Sequence, residues 1–106
     1  MRSRASDRVF DALADPTRRR IVERLGRAPA TAGELADQLP VTRQAVVKHL
    51  ALLEAADLAR GERDGRRVVY RLTPGPMVDA ARWMRDVGAD WDERLGALAE
   101  RFTKSR

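Results

Sequence analysis

The chain has 106 residues, no cysteine and a formal net charge of +5 at pH 7. Its length fits one domain, spanning residues 1–106. A mean hydropathy of −0.50 and 35% charged residues exclude a membrane-spanning protein. The absence of cysteine excludes disulfide scaffolds and thiolate metal sites. The first residues contain no apolar signal segment, so we expect a cytoplasmic protein.

The excess positive charge is unevenly distributed along the chain. Residues 1–27 carry +4, residues 28–40 carry −2, residues 41–73 carry +3 and residues 74–106 are neutral. Of the 21 basic residues, all but Lys48 and Lys104 are arginine, whose forked guanidinium suits phosphate and guanine. This distribution indicates an anion-binding body followed by a charge-balanced helix with another task.

The first half of the chain is predicted to be helical. A short helix over 7–14 is followed by Asp15 and Pro16, an N-cap and a first helical residue, and the second helix stops at Gly26. Thr31 and Glu34 form a capping box for a short helix that ends at Pro40. Thr42 caps a fourth helix, which runs to about residue 56.

The periodicity then changes from helix to strand. Residues 58–63 and 66–72 alternate as strands joined by Asp64 and Gly65, a strong hairpin signal. A long final helix is predicted over 76–102. The order of elements predicts a mainly α fold with a small β-hairpin, a winged helix-turn-helix with a core over 7–73, a wing over 58–72 and a C-terminal dimerisation helix.

The fourth helix has the pattern of a DNA recognition helix. Val46, Leu50 and Leu53 form a buried stripe at about 100° per residue. The opposite side is polar and basic, and no acidic residue occurs from Val41 to Leu53. Glutamine suits adenine, and arginine or lysine suits guanine. The predicted DNA contacts on this helix are Thr42, Arg43, Gln44, Val47, Lys48 and His49, with His49 either structural or contacting phosphate.

The hairpin tip is rich in arginine. Arg63, Arg66 and Arg67 lie at or beside it. Charged residues on an edge strand limit aggregation, but that role does not explain why the charge here is mainly positive. We expect these three side chains to contact phosphates or an adjacent minor groove.

The last helix carries a continuous apolar stripe at steps of three and four. At about 39 Å it is longer than so small a domain can cover, so part of the stripe must meet a partner, most economically a second copy. The alternative use of this stripe is a small-molecule pocket lined by the tryptophans. The predicted dimer-interface residues are Phe10, Met77, Ala80, Met84, Val87, Trp91, Leu95 and Leu98.

Three stretches of the chain together resemble the ArsR/SmtB family of bacterial repressors. Residues 10–21, FDALADPTRRRI, resemble the family's opening segment; residues 42–58, TRQAVVKHLALLEAADL, resemble its helix-turn-helix; residues 65–72 resemble its wing. The last helix, with Trp83 and Trp91, looks like the metal-independent branch. The resemblance implies a homodimeric repressor that binds an operator and dissociates on a signal.

The chain also departs from the family pattern. Asp57 stands where glycine is usual, and Val47 stands where serine is common. Metal-sensing members carry Cys-x-Cys on the short helix or Asp/His sets on the last helix, and neither occurs here. We therefore expect no metal and no cofactor, and leave a small-molecule inducer of unknown identity open.

The sequence also bears on other classes of function. Asp79, Asp86, Asp90 and Glu93 share one face of the last helix, but arginines spaced four residues away favour a solvated ion-pair face over a metal site. No catalytic constellation appears, so we expect no enzyme. The alternatives to a sequence-specific repressor are a non-specific nucleoid-type protein and a protein-interaction module that docks through its last helix.

Overall fold

The computed structural model describes residues 4–104, apart from the side chains at 4–5, 91, 95, 98–99 and 101–104. The described chain forms five helices and one antiparallel hairpin. The elements are α1 (Arg4–Leu13), α2 (Pro16–Arg27), α3 (Ala32–Gln38), α4 (Arg43–Ala55), β1 (Ala59–Asp64), β2 (Arg67–Leu72) and α5 (Gly75–Lys104). This order confirms the predicted winged helix-turn-helix with a long final helix.

Three helices begin at the caps that the sequence predicted. The Asp15 carboxylate accepts hydrogen bonds from the backbone N–H groups of Thr17 and Arg18, at 2.8 and 3.0 Å. Thr31 and Glu34 form the reciprocal capping box of α3. The Thr42 hydroxyl accepts from the Ala45 N–H at 3.1 Å. Each cap satisfies donors that a helix start leaves without partners.

The end of α4 uses an aspartate where glycine is the usual residue. Asp57 has φ 59°, in the left-handed region. Its N–H donates to the Glu54 carbonyl at 3.0 Å, and the N–H of Leu58 donates to the Leu53 carbonyl at 2.9 Å. These two bonds make a Schellman motif. It turns the chain sharply from the helix into β1 and buries Leu58 against the core.

Several predicted boundaries were wrong by a few residues. Helix α1 begins at Arg4, and α2 continues through Gly26 to Arg27. Helix α5 begins at Gly75, because Pro76 in a first helical turn loses no intrahelical hydrogen bond.

The hairpin turn is one residue further along than predicted. The strands pair from Ala59 with Leu72 to Asp64 with Arg67, which leaves Gly65 and Arg66 as the two-residue loop. Gly65 has φ 65°, and a positive φ at the first central position alone is the pattern of a type II′ turn. The wing therefore carries Arg66 at its tip.

The wing is anchored to the helical body on both sides. Ala30, between α2 and α3, pairs with Tyr70 through N–H···O bonds of 3.1 and 2.8 Å. On β1, the N–H of Gly61 donates to the Glu54 carboxylate of α4 at 3.4 Å. The Tyr70 ring and Val68 crowd Gly61, so that a Cβ there would lie 3.0 Å from each. These contacts fix the hairpin relative to α4.

The core lies between the helical layer and the base of the wing. The stripe predicted on α4, Val46, Leu50 and Leu53, is fully buried, which confirms that face of the helix. Ile21, Leu35 and Leu58 complete its centre.

Two consecutive arginines close the end of α1. Arg18 donates from Nε to the Ala12 carbonyl at 2.6 Å, and Arg19 donates from Nη1 to the carbonyls of Leu13 and Ala14 at 2.7 and 3.2 Å. The last carbonyls of a helix lack intrahelical partners, and cationic donors near them are favourable. Part of the positive charge of residues 1–27 therefore holds the fold together.

Helix α5 extends beyond the body of the domain. The chain measures 70 × 27 × 20 Å with a radius of gyration of 18.9 Å, whereas a compact chain of this length has about 13 Å. The first turns of α5 lie against α1, where Ala80 is buried, and every described side chain from Met84 onward is exposed. None of the helices in the described part of the chain is both long and apolar enough to cross a bilayer.

Candidate nucleic-acid interface

The outward side of α4 presents polar and basic side chains on a rigid element. Arg43, Gln44 and Lys48 are exposed, and their direction follows from the burial of Val46 and Leu50 on the opposite side. No acidic residue lies on α4 before Glu54. The helix can therefore approach a phosphate backbone without like-charge repulsion.

A groove of about 450 Å³ separates α4 from the wing. It brings together four of the predicted DNA contacts, two from α4 and two from the hairpin tip. Residues of the α3 start and of β2 complete its wall. Those that sequence reasoning missed are Thr31, Ala32, Gly33, Val68 and Tyr70. The four predicted residues that line the groove are Arg43, Val47, Arg66 and Arg67.

Nothing in the sequence signalled Thr31, Ala32 and Gly33, because the start of α3 lies beside the wing through tertiary contacts that include the Ala30–Tyr70 bridge. For Tyr70 a signal existed: it alternates with Val68 and Leu72 on one face of β2. Burial raises the pKa of Tyr70, with a smaller contribution from Glu54, so its hydroxyl stays neutral.

The acids of the wing lie beside its own arginines. Arg67 is 3.7 Å from Asp64, and Arg71 is 3.8 Å from Glu62. All four side chains are more than half exposed, and such pairs contribute little and break easily. Within the described residues Arg63 and Arg66 have no acidic partner at ion-pair distance. Arg66 stands at the tip and Arg63 beside it.

Thr42 and His49 are placed differently from the other predicted contacts. The Thr42 hydroxyl oxygen caps α4, which leaves its proton free to be donated outward. His49 is half-buried on the flank that faces α2, where its Nδ1 lies 3.5 Å from Nη1 of Arg18. His49 thus joins α4 to the residue that closes α1, and it does not line the groove.

The predicted dimer-interface residues fall into three groups. Phe10 and Met77 are half-buried, and the Phe10 ring packs on Trp83 with centroids 5.6 Å apart. Ala80 is 1% exposed and belongs to the chain's own core. Met84 and Val87 are 51% and 36% exposed. Trp91, Leu95 and Leu98 lie outside the described side chains.

An apolar cavity of about 460 Å³ lies between α1 and α5. Its lining is almost wholly hydrocarbon, and it opens beside the exposed side chain of Met84. The residues around it are Val9, Phe10, Leu13, Met77, Ala80, Ala81 and Met84. Four of the eight residues that the sequence predicted to meet a partner, Phe10, Met77, Ala80 and Met84, therefore line one apolar cavity.

Two capping carboxylates are held in their charged forms. The N–H of Arg18 lowers the pKa of Asp15, with the N–H of Thr17 acting in the same direction. The backbone and hydroxyl of Thr31 lower the pKa of Glu34, to which the charge of Arg67 adds. Within the described residues, no three His, Cys, Asp or Glu side chains are grouped as metal ligands would be.

The chain is similar in sequence to known transcriptional regulators. A helix-turn-helix domain model matches residues 13–62. The chain is 43% identical to the HTH-type transcriptional regulator Rv2034 of Mycobacterium tuberculosis over 97 residues, which cover 92% of this chain and 88% of that protein. It is 33% identical to the transcriptional repressor SdpR of Bacillus subtilis, over 72% of this chain and 84% of that one.

Solved structures agree with the relatives found by sequence. An ArsR-like transcriptional regulator from Rhodococcus sp. RHA1 superposes with a TM-score of 0.76 and 42% identity, covering 91% of each chain.

Proposed function

Because the chain belongs to the ArsR/SmtB family of DNA-binding transcriptional regulators, we propose that it is a homodimeric repressor that recognises an inverted-repeat operator in double-stranded DNA. Its relatives are regulators, and the chain is not an enzyme. To this family membership the proposal adds the oligomeric state of the protein, the two-fold symmetry of its operator, its preference for a DNA sequence and the residues that contact the DNA.

One observation carries the proposal: the acid-free outward side of α4 and the arginine-tipped wing flank the same groove. A helix fits the major groove of B-DNA, which presents a distinct donor and acceptor pattern for each base pair. Contacts to phosphate set the register of the protein, and contacts to base edges set its sequence preference.

The polar and basic side chains of α4 and the wing have separate roles in this mode of binding. Gln44 faces an adenine, whose N6 and N7 match the amide, and Arg43 or Lys48 faces a guanine. Thr42 and the start of α4 bind a phosphate oxygen, which the partial positive charge of a helix N-terminus favours. Arg63, Arg66 and Arg67 bind phosphates or enter the adjacent minor groove.

The proposed dimer pairs α1 and α5 with their copies in a second chain. The apolar cavity and the exposed Met84 and Val87 supply a surface that the chain itself leaves open to solvent. A two-fold pair of recognition helices reads two half-sites about 10–10.5 bp apart, or a multiple of that spacing. We infer that a thiolate-bound metal is not the signal that releases the operator, because the chain contains no cysteine.

Binding-site selection from genomic DNA with the purified protein tests the proposal. We expect one enriched motif with two-fold symmetry, and a protected footprint centred on it. Competition with unrelated DNA should leave this complex intact at excess ratios that remove a non-specific binder. Equal enrichment of all fragments would contradict the proposal and favour the nucleoid-type alternative.

A further inference from the structure

We propose that Val47 reads the C5-methyl group of a pyrimidine in the major groove, so that each operator half-site carries a thymine, or a 5-methylcytosine, opposite it. This inference rests on the proposed function and adds a specificity-determining contact to it. It starts from an exposed apolar side chain in polar surroundings.

Val47 is the one apolar residue among the exposed side chains in the first seven residues of α4. Val47 is 49% exposed, and the other exposed residues there are Arg43, Gln44 and Lys48. It lines the groove together with Arg43 and, across from them, Arg66 and Arg67. Two sets of guanidinium groups that suit phosphate therefore flank an apolar spot where the base edges would pass.

The geometry of valine suits a fixed contact. A β-branched side chain in a helix has essentially one χ1 rotamer, so its two methyl groups occupy defined positions. Val47 follows Gln44 by three residues, and residues at that spacing are neighbours on a helix surface. The amide of Gln44 and the methyl groups of Val47 therefore reach the same or adjacent base pairs.

The chemistry of the base edges selects the partner. In the major groove guanine and adenine present polar atoms and cytosine presents an N–H donor, whereas thymine alone of the ordinary bases adds a methyl group. A valine pressed on a donor or acceptor would exclude water without replacing its hydrogen bond, which is unfavourable. Val47 thus both favours the methyl group and disfavours the bare polar edges.

Replacing thymine by uracil tests the contact on the DNA side, with no change to the protein. Each thymine of the selected operator is replaced in turn by uracil, and the dissociation constant is measured by fluorescence anisotropy. At one position in each half-site we expect the loss of the methyl group to weaken binding by the wild type about fourfold. Replacement in both half-sites should multiply the two factors.

The protein side completes a double-mutant cycle. Val47→Ala should bind the thymine operator more weakly and should show no further loss on uracil. Val68→Ala is the matched control, because Val68 is 42% exposed in the same groove but lies on the wing. That variant should keep the fourfold difference. Both sites are exposed, and thermal unfolding checks that each variant is folded.

A second pair of duplexes, with cytosine or 5-methylcytosine at the same position, distinguishes between thymine and 5-methylcytosine as the base that Val47 contacts. An equal gain from the methyl group on cytosine assigns the contact to any C5-methylpyrimidine, and a gain confined to the thymine pair assigns it to thymine. Either result upholds the proposal.

Two results would overturn the inference. One is an operator in which no thymine is sensitive to loss of its methyl group, and the other is a Val47→Ala variant that keeps the sensitivity. In both cases the repressor function would stand, because the selected operator would still be bound. Selection that yields no motif would reject the proposed function itself, and the methyl contact with it.

Discussion

Gln44 presents a carboxamide on the outward side of α4, two residues after the Thr42 cap. Glutamine can donate to and accept from adenine at once, and a good bidentate pair discriminates against a wrong base by about 1–3 kcal/mol. We expect Gln44→Ala to weaken binding to the selected operator by that amount and to leave binding to random DNA unchanged. Titration of both duplexes at one salt concentration measures the difference.

The matched control for this variant is Gln38→Ala. Gln38 is a glutamine on α3 whose side-chain oxygen accepts from Arg24, away from the α4 surface. It should retain the discrimination between the two duplexes. Equal losses on operator and random DNA for Gln44→Ala would assign Gln44 to phosphate binding instead of base reading.

Among the residues that the structure describes, Asp57 is the one non-glycine residue with a positive φ. A left-handed backbone costs an L-residue about 1–2 kcal/mol, and aspartate somewhat less. Asp57→Gly should therefore raise the free energy of unfolding by about 0.5–1 kcal/mol, as measured by urea denaturation. Asp57→Ala, which has a Cβ without the short polar group, should be less stable than wild type. A less stable Asp57→Gly protein would contradict this account.

For individual residues, the sequence correctly predicted those that form hydrogen bonds with near neighbours in the chain. The caps at Asp15, Thr31 and Thr42 bond to groups two or three residues away, so their residue types were sufficient to identify them. Arg18 reaches back to Ala12 and across to His49, 31 positions distant. Such a role depends on how helices pack and has no local signature.

Among the glycines of the chain, Gly61 in β1 has the least room for an added Cβ. A Cβ on Gly61 would lie 3.0 Å from the Tyr70 ring and from Val68. Overpacking of this kind costs about 1–3 kcal/mol, so we expect Gly61→Ala to lower the free energy of unfolding by that amount. It should also weaken operator binding, because Tyr70 and Val68 line the groove.

The contrasting glycine variant is Gly26→Ala. Gly26 lies in helix α2, and a Cβ there would meet only Leu72 at an ordinary 3.8 Å. Alanine in place of a helical glycine should stabilise the protein by about 0.5–1 kcal/mol. Calorimetry of the two variants gives shifts of the unfolding temperature in opposite directions. A stable Gly61→Ala protein would show that the ring moves aside without cost.

The helix starts give the fold an acid limit. The pKa values of Asp15 and Glu34 are lowered from their ordinary 3.8 and 4.5 by hydrogen bonds that the folded chain donates to them. A lowered pKa adds stability that is complete above the ordinary value and is lost as pH falls through the lowered one. We expect the free energy of unfolding to decline across this acid range.

Asp15→Asn keeps a side-chain acceptor at the cap and removes the titrating group. Urea unfolding between about pH 6 and about pH 2 should give a shallower decline for this variant than for wild type. Identical pH profiles would exclude Asp15 as a source of the acid sensitivity.

The elements were predicted correctly in type and order, and the errors lie at their ends. The hairpin turn moved from Asp64 and Gly65 to Gly65 and Arg66, because the loop is set by the cross-strand pairing of Asp64 with Arg67. The bridge between Ala30 and Tyr70 was missed altogether. It joins segments 40 positions apart, and the segment around Ala30 carries no strand pattern that would indicate the pairing.

At the scale of the whole molecule, the proposed dimer can be tested with a substitution on α5 and a matched control at the neighbouring residue. Val87 and Asp86 are adjacent and exposed, but consecutive residues of a helix point about 100° apart. Val87 therefore continues the stripe of Ala80 and Met84, and Asp86 lies off it. Val87→Lys should shift the protein towards monomer at micromolar concentration, and Asp86→Lys should not. Sedimentation equilibrium measures both masses. A dimeric Val87→Lys protein would place the interface elsewhere.

The net charge has a different meaning once the fold is known. The basic excess of residues 1–27 was read as part of an anion-binding surface, but Arg18 and Arg19 close α1 and Arg24 bonds to Gln38 and Ala28. Composition does not distinguish an arginine that binds its own backbone from one that faces solvent. The arginines that flank the groove come from the +3 of residues 41–73.

The aspartate at the end of α4 also has a genetic consequence. Every aspartate codon becomes a glycine codon by a single change at its second base. The residue that best fits φ 59° is thus one point mutation away from the one present. Natural proteins hold such unused increments because selection acts only on falling below a threshold. A lineage of this chain that moved to a warmer habitat would have Asp57→Gly among its most accessible adaptive steps.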